Sequence, residues 1–550
     1  MNRVFRWSLM PVAVAASFVL LSGPVRAQSV STFLGGSGAT DLSQTGWTTA
    51  GNWNTGTVAT GTGVWARINS STATTLRINY GSSSVGTTGT LTVGAISFLP
   101  TLTLATGSTY EVRNSSTGTK GTLRFYGLTA TIDGTSRTII LDNQTTLSDV
   151  GFSQSSAGQD FELYVSGAIN VAANTSVTLS PLIRDGGATP RSITKIGNGV
   201  LSFAGVPYAG TTTNSSTNST YSGGFTLNGG IVQWAASGVS GTNPFGSGSL
   251  TLRSGTLRST TSTGKSINSS VVLDGSVTLG SADPLFNGNI TINSSGGALA
   301  TTIASNSIVS IAGSGSTAWN QSTSGTGSLT KAGPGLLRFT TLSTLAHTGS
   351  TAVQDGTLIM AGNMTSPGAV SILNAATLLG TGTIAGPTSI FSGGTFSPGA
   401  VSGTSGVFTF GVGGLSLGGQ ALMEVAGTTR GTEYDAVDIG GALGYGGSLL
   451  LQFSGTLADN TTLELFKGFA SQAGTFSSIT VAGAYSGSLT ESSGVWTGRL
   501  GGQDFTFTNS TGNLVIVPEP VASLLAGLGI AATAMQAWRR HRCRSVRTNR

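Results

Sequence analysis

The chain reads as all-β: a right-handed parallel β-helix, or β-solenoid, between a cleavable N-terminal signal helix and one C-terminal transmembrane helix. Three observations predict this. Short apolar runs recur with a strand-and-turn rhythm, two long segments repeat one another, and each end places an apolar stretch beside arginines.

Residues 1–27 have the three parts of a secretory signal peptide. Arg3 and Arg6 form the charged start, residues 8–21 the apolar middle, and Val25-Arg26-Ala27 a small-residue site. Signal peptidase is expected to cut between Ala27 and Gln28. The alternative, an uncut anchor helix, fits less well because the apolar stretch is short and Pro24 follows it.

The body, 28–516, is rich in glycine and poor in charge. Gly is 84 of 550 residues and charged residues are 8%, against usual values of about 7% and about 25%. Disorder is excluded by the 38% hydrophobic content, which falls in short runs. Thr90-Leu91-Thr92-Val93, Ile139-Ile140-Leu141 and Val271-Val272-Leu273 are examples. Gly, Ser, Asn or Asp interrupts them every ~8–12 residues, the spacing of all-β architecture. No run between the two ends keeps a helical period, so helix is not expected there. Residues 28–190 show this rhythm and are expected to begin the β-helix.

Residues 191–400 contain the repeat. Thr194-Lys195-Ile196-Gly197-Asn198-Gly199-Val200-Leu201 matches Thr330-Lys331-Ala332-Gly333-Pro334-Gly335-Leu336-Leu337. A second half follows each, Tyr221-Ser222-Gly223-Gly224-Phe225 in one and His347-Thr348-Gly349-Ser350-Thr351 in the other. The copies span 193–238 and 329–362. The first has extra residues between its halves, matching the Thr/Asn/Ser stretch 211–220, as a polar loop on a regular coil would. Each half reads as strand, glycine turn, strand. One unit cannot bury its apolar face alone, whereas stacked units bury a continuous core. At 20–25 residues per rung and a ~4.8 Å rise, the body would form a rod of roughly 100 Å.

These motifs resemble the autotransporter-associated β-strand repeat. His347 stands where the first copy has Tyr221, and Asp355 where it has Gly229. Asn243-Pro244-Phe245-Gly246-Ser247-Gly248 and Tyr434-Asp435 are also similar to turns of that family. The resemblance covers 194–516; before it, only a Trp47…Asn52-Trp53 opening is shared. The family's membrane barrel has no counterpart in 401–516, which reads as the β-rich end of a passenger-like region. Export by other machinery is therefore expected.

The tail, 517–550, supplies a candidate. Pro518-Glu519-Pro520 precedes an uncharged 18-residue run, 521–538, and then Arg539, Arg540, Arg542 and Arg544. The run is long enough to span a bilayer, and the arginines would stay cytoplasmic. The order resembles the PEP-CTERM sorting signal of Gram-negative bacteria. That resemblance implies recognition of Pro518, Glu519 and Pro520 by an exosortase. It also implies a membrane-anchored intermediate, later release to the cell surface or matrix, and association with exopolysaccharide or biofilm. A tail that is never cut is the alternative.

The ends also explain the charge. Without the 3 basic residues of the signal and the 6 beyond Trp538, 17 Lys+Arg remain against 20 Asp+Glu. The exported part thus gives no support to nucleic-acid binding. The only cysteine, Cys543, lies in the tail, leaving the body without disulfides; lipidation is its alternative role.

Candidate chemistry is sparse. His347 is the body's one histidine and reads as a surface ring at a turn. Glu433, Asp435 and Asp438 are the densest acidic cluster; in an extended strand Glu433 and Asp435 would share a face and Asp438 oppose them. They read as turn-capping acids, with Ca²⁺ binding or acid catalysis as alternatives. Trp47, Trp53, Trp65, Trp234, Trp319 and Trp496 suit core packing or, alternatively, sugar stacking. No cofactor is expected. The functional expectation is a non-catalytic structural or adhesive surface protein, with a β-helix polysaccharide lyase or hydrolase as the rival.

Overall fold

The computed structural model describes residues 166–517 almost throughout, the longest omissions being 205–218 and 236–243. It also describes nine strands between Ser29 and Leu163, and Met535–Gln536. The signal segment with Ala27 and Gln28 lies outside the described residues. So do Pro518-Glu519-Pro520, most of 521–538 and the basic end.

The described body is all strand and turn, and its strands stack in parallel ladders. One coil runs through strands Leu329–Ala332, Leu336–Phe339 and Thr344–Leu345. The next runs through Thr351–Val353, Gly356–Met360 and Asn363–Met364. Each strand lies parallel on its counterpart one coil earlier: Leu329 beside Thr351, Leu336 beside Thr357, Leu345 beside Met364. Three faces result, as in a β-helix. Strands of the N-terminal region join the same ladders, from Ser29 beside Val64 to Ile169 beside both Leu128 and Lys195.

The two halves of each sequence repeat are therefore successive rungs. Ile193 pairs with Phe225 and Val200 with Ile231, as Leu329 pairs with Thr351 and Leu336 with Thr357. Rung length departs from the expected 20–25 residues. Among the described strands it runs from about 18, Val370 to Thr388, to about 41, Leu128 to Ile169. Corners of different length absorb most of the difference, with register shifts in the ladders at Leu227/Asn228 and Leu252/Ser254.

Alternation decides which side chains enter the core. In Val271–Leu279, Val271, Leu273, Val277 and Leu279 are buried, in unbroken alternation through the Asp274-Gly275 corner, where Gly275 holds the intervening position. Like side chains stack: Leu337, Leu358, Leu378, Phe396, Ala421, Leu449 and Ile479 form one buried column in register. Each large member contributes about 1.5–3 kcal/mol of burial. Outside the core, a polar column runs beside it. Asn293 donates to Asn268 at 2.7 Å, Asn320 to Asn293 at 3.4 Å, and Thr340 to Asn320 at 2.9 Å.

The expectation of parallel strands to residue 516 needs correction. The last parallel strand of the 15-stranded sheet is Ser478–Gly483. Gly487–Ser492, Val495–Leu500, Gln503–Thr508 and Asn513–Val517 then add antiparallel, with Thr461–Glu464 at the edge. The cause is local. Ser493-Gly494 and Gly501-Gly502 have positive φ at both positions, the geometry of two-residue hairpin turns, which fold a strand back on itself. This meander covers the end of the coil, where bare rung edges would otherwise invite pairing.

Candidate functional site

The most elaborate polar constructions in the body are its glycine corners. Thr194-Lys195-Ile196-Gly197 and Thr330-Lys331-Ala332-Gly333 place a lysine on an inward strand position. Both side chains are fully buried. Lys195 Nζ donates to the carbonyls of Ile196 (3.0 Å), Gly197 (2.6 Å) and, on the next rung, Gly229 (3.0 Å). Lys331 Nζ donates to Gly333 and, on the next rung, to Asp355 (2.7 Å). Asp355 holds the position of Gly229, and it serves through its backbone carbonyl, so the sequence difference leaves the contact unchanged.

Glycine is required where the ammonium sits. Gly230 and Gly356 both have φ of 66°. A Cβ there would lie 2.7 Å from Lys195 Nζ or 2.6 Å from Lys331 Nζ. Burial pulls both ammonium groups down from 10.5 to about 8, with Asp355 acting in the opposite sense on Lys331. In the sequence this lysine stands inside the repeated motif with nothing local to mark its role. Its signal was recurrence of a cation at an inward position in a chain with little charge.

His347 is not a surface ring. It is buried, its Nδ1 3.0 Å from Thr323 Oγ1 and its Nε2 2.9 Å from Thr351 Oγ1. It lies two residues after the inward Leu345, so alternation turns it inward too. Two hydroxyls supply the donor and acceptor that a neutral imidazole needs. Burial lowers its pKa, favouring that neutral form. Tyr221, its counterpart, is also buried and donates to the Pro244 carbonyl at 3.2 Å.

The acidic cluster is not brought together. The strand starts only at Ala436, so the expected alternation from Glu433 to Asp438 does not hold. Asp435 is buried and accepts N–H bonds from Gly406 (2.8 Å) and Glu424 (2.9 Å). Burial pushes its carboxyl up to about 8 against the pull of those bonds, and nearby Glu424 adds to the rise. Glu433 is exposed and caps its own turn, accepting from Thr429 and Thr428 at 2.8 Å each. Those bonds hold it below the usual carboxylate value. Asp438 pairs with Arg430 at 2.8 Å. Among the described residues no group of three His, Cys, Asp or Glu is arranged to hold a metal ion.

The described tryptophans are placed by packing. Trp234, Trp319 and Trp496 are buried. Trp234 meets Phe245 edge-on at 5.4 Å, and Trp319 donates from its indole to Thr301 at 3.0 Å. Trp65 lies in strand Gly61–Ile68, while Trp47 and Trp53 fall outside the described residues.

Comparison with protein-family models and with curated proteins returns no match.

Proposed function

We propose that this chain is an exported, non-catalytic structural protein, a right-handed β-helical rod of the cell surface or extracellular matrix. One observation carries the reading: among the described residues, several buried ionisable side chains hold the coil's own backbone. Lys195 and Lys331 bind corner carbonyls, and Asp435 clamps two backbone N–H groups. Arg430 likewise ties Asp438 to the Glu464 carbonyl. Side chains sealed in this way cannot reach a polysaccharide substrate. Export by the 1–27 signal, and sorting through Pro518-Glu519-Pro520, the 521–538 helix and an exosortase, complete the proposal. Exopolysaccharide is the proposed companion at the surface.

Fractionation of cells carrying the intact chain, or a chain ending at Val517, tests it. Loss of surface delivery in the shortened chain is expected. Equal delivery of both would remove the sorting claim, and recovery of intact 521–550 in the mature surface protein would remove the cleavage step. Release of reducing ends or unsaturated sugars from exopolysaccharide by the purified protein would replace the structural reading with the enzymatic one.

A further inference from the structure

Asp355 gives its backbone carbonyl to Lys331 and turns its side chain back on its own chain. Its Oδ1 accepts the N–H of the next residue, Gly356, at 2.7 Å. That bond sets the amide nitrogen against the carboxyl group, and reacting atoms about 3–3.5 Å apart form a near-attack arrangement. Gly356 has no side chain to shield its nitrogen, and its φ of 66° is held by the corner. The carbonyl of the same peptide bond, that of Asp355, accepts the Lys331 ammonium at 2.7 Å. A cation there stabilises the negative charge that the peptide carries when its nitrogen gives up a proton, as an oxyanion donor does. Electrophile, nucleophile and oxyanion donor thus meet at one corner.

The same dipeptide elsewhere lacks this arrangement. Asp274 Oδ2 is taken by Arg253 Nε at 2.9 Å, and Gly275 N donates to Ser307 Oγ at 3.4 Å. At the Lys195 corner, Gly229 stands in the place of Asp355, so no carboxyl is present.

We propose that Asp355-Gly356 is a self-modification site, where the corner converts its aspartyl linkage to an isoaspartyl one through a cyclic imide. Gly356 N bonds to the carboxyl carbon of Asp355. The carboxyl's hydroxyl leaves as water with the amide proton. A second water then attacks the former peptide carbonyl carbon, which is half-buried and open to solvent on one side. Its bond to Gly356 N breaks, the nitrogen takes the water's proton, and the new carboxylic acid releases its own to solvent. One water leaves and one enters, so mass is unchanged and no other reactant is needed.

The new carboxylate is the group that already faces Lys331. In the starting chain that buried ammonium is hydrogen-bonded to neutral carbonyls. In the product it gains a counter-ion at hydrogen-bonding distance, and buried charges persist best when paired. The reaction depends on neither export nor sorting.

Incubating the purified full chain at neutral pH in heavy-oxygen water tests this. Samples are then unfolded and digested with an endoproteinase that cuts before aspartate but not before isoaspartate. Cleavage before residue 355 should fade with time, the uncut peptide should carry one heavy oxygen, and cleavage before Asp274 should persist. The loss at 355 should be at least about tenfold faster in the folded chain than in the same chain held in urea, because the fold supplies the geometry. Lys331→Met should slow the folded reaction about tenfold, as removal of an oxyanion donor does. Loss that is equal or faster in urea overturns the proposal without recourse to any variant. So does loss at 274 as fast as at 355, or loss at 355 without the heavy oxygen. An unchanged folded rate in Lys331→Met overturns the part assigned to the ammonium.

Discussion

The Lys195 ammonium donates to the carbonyl of Gly229, 3.0 Å away on the following rung, and so ties two stacked corners together. Lys331 does the same with Asp355. Removing either side chain leaves part-buried carbonyls without their ammonium partner, at up to about 1–3 kcal/mol for each polar group left unpaired. Loss of the buried charge offsets part of this. Lys195→Met should therefore cost about 2 kcal/mol in denaturant unfolding. Lys331→Met should cost less, because three acceptors contact Lys195 and two contact Lys331. Shifts under about 0.5 kcal/mol for both would show that the corners hold without their cations.

The same lysines and Asp435 give stability an unusual pH profile. Asp435 titrates near 8 in the fold against 3.8 ordinarily. Between those values the folded state binds the extra proton, so stability falls as pH rises from about 4 to 8. The lysines titrate near 8 against 10.5. Between those values the unfolded state binds more protons, so stability rises again from about 8 to 10.5. The melting temperature of the body should pass through a minimum near pH 8. Asp435→Asn should flatten the acid limb and the double lysine-to-methionine variant the alkaline limb. A limb that survives its own substitution belongs to other groups.

Glycine at the lysine corner should tolerate no side chain. Gly230→Ala brings a Cβ to 2.4 Å from the Gly197 and Gly199 carbonyls and 2.7 Å from Lys195 Nζ. Gly356→Ala meets Gly335, Pro334 and Lys331 Nζ, each at 2.6 Å. Gly502→Ala is the control: its φ is 89°, but nothing lies within 4 Å. Backbone strain alone costs about 1 kcal/mol, whereas the corner substitutions should cost about 3 kcal/mol or more. Equal melting temperatures for Gly230→Ala and Gly502→Ala would mean that the corner yields easily.

Much of this architecture was legible in the chain. Inward and outward positions follow period-2 alternation, and the repeat located two pairs of stacked rungs because its glycines mark corners. His347 was misplaced because a polar residue before a glycine turn was read as surface. Its two partners are Thr351, four residues on, and Thr323, a hydroxyl that only the register brings to the ring from the preceding rung. The acidic cluster was read with strand geometry where the chain turns through Thr429–Tyr434. The antiparallel end did have a local signal in Ser493-Gly494 and Gly501-Gly502. Those pairs look like every other glycine corner until their spacing from the flanking apolar residues is counted.

That end is predicted to keep the coil from growing end to end. Strand Ser478–Gly483 offers its next edge to Gly487–Ser492, and Trp496 and Phe507 pack beneath the meander in register with each other. A chain ending at Gly483 would present that edge, and those of the two neighbouring ladders, to solvent. Unpaired parallel rungs pair readily with other copies, because each is already an acceptor for the next. Relative to a chain ending at Val517, the shorter chain should scatter light increasingly with concentration and form elongated particles by electron microscopy. If both chains sediment alike over a hundredfold range of concentration, the meander is not what blocks end-to-end growth, and some other feature of the terminal rung must do so.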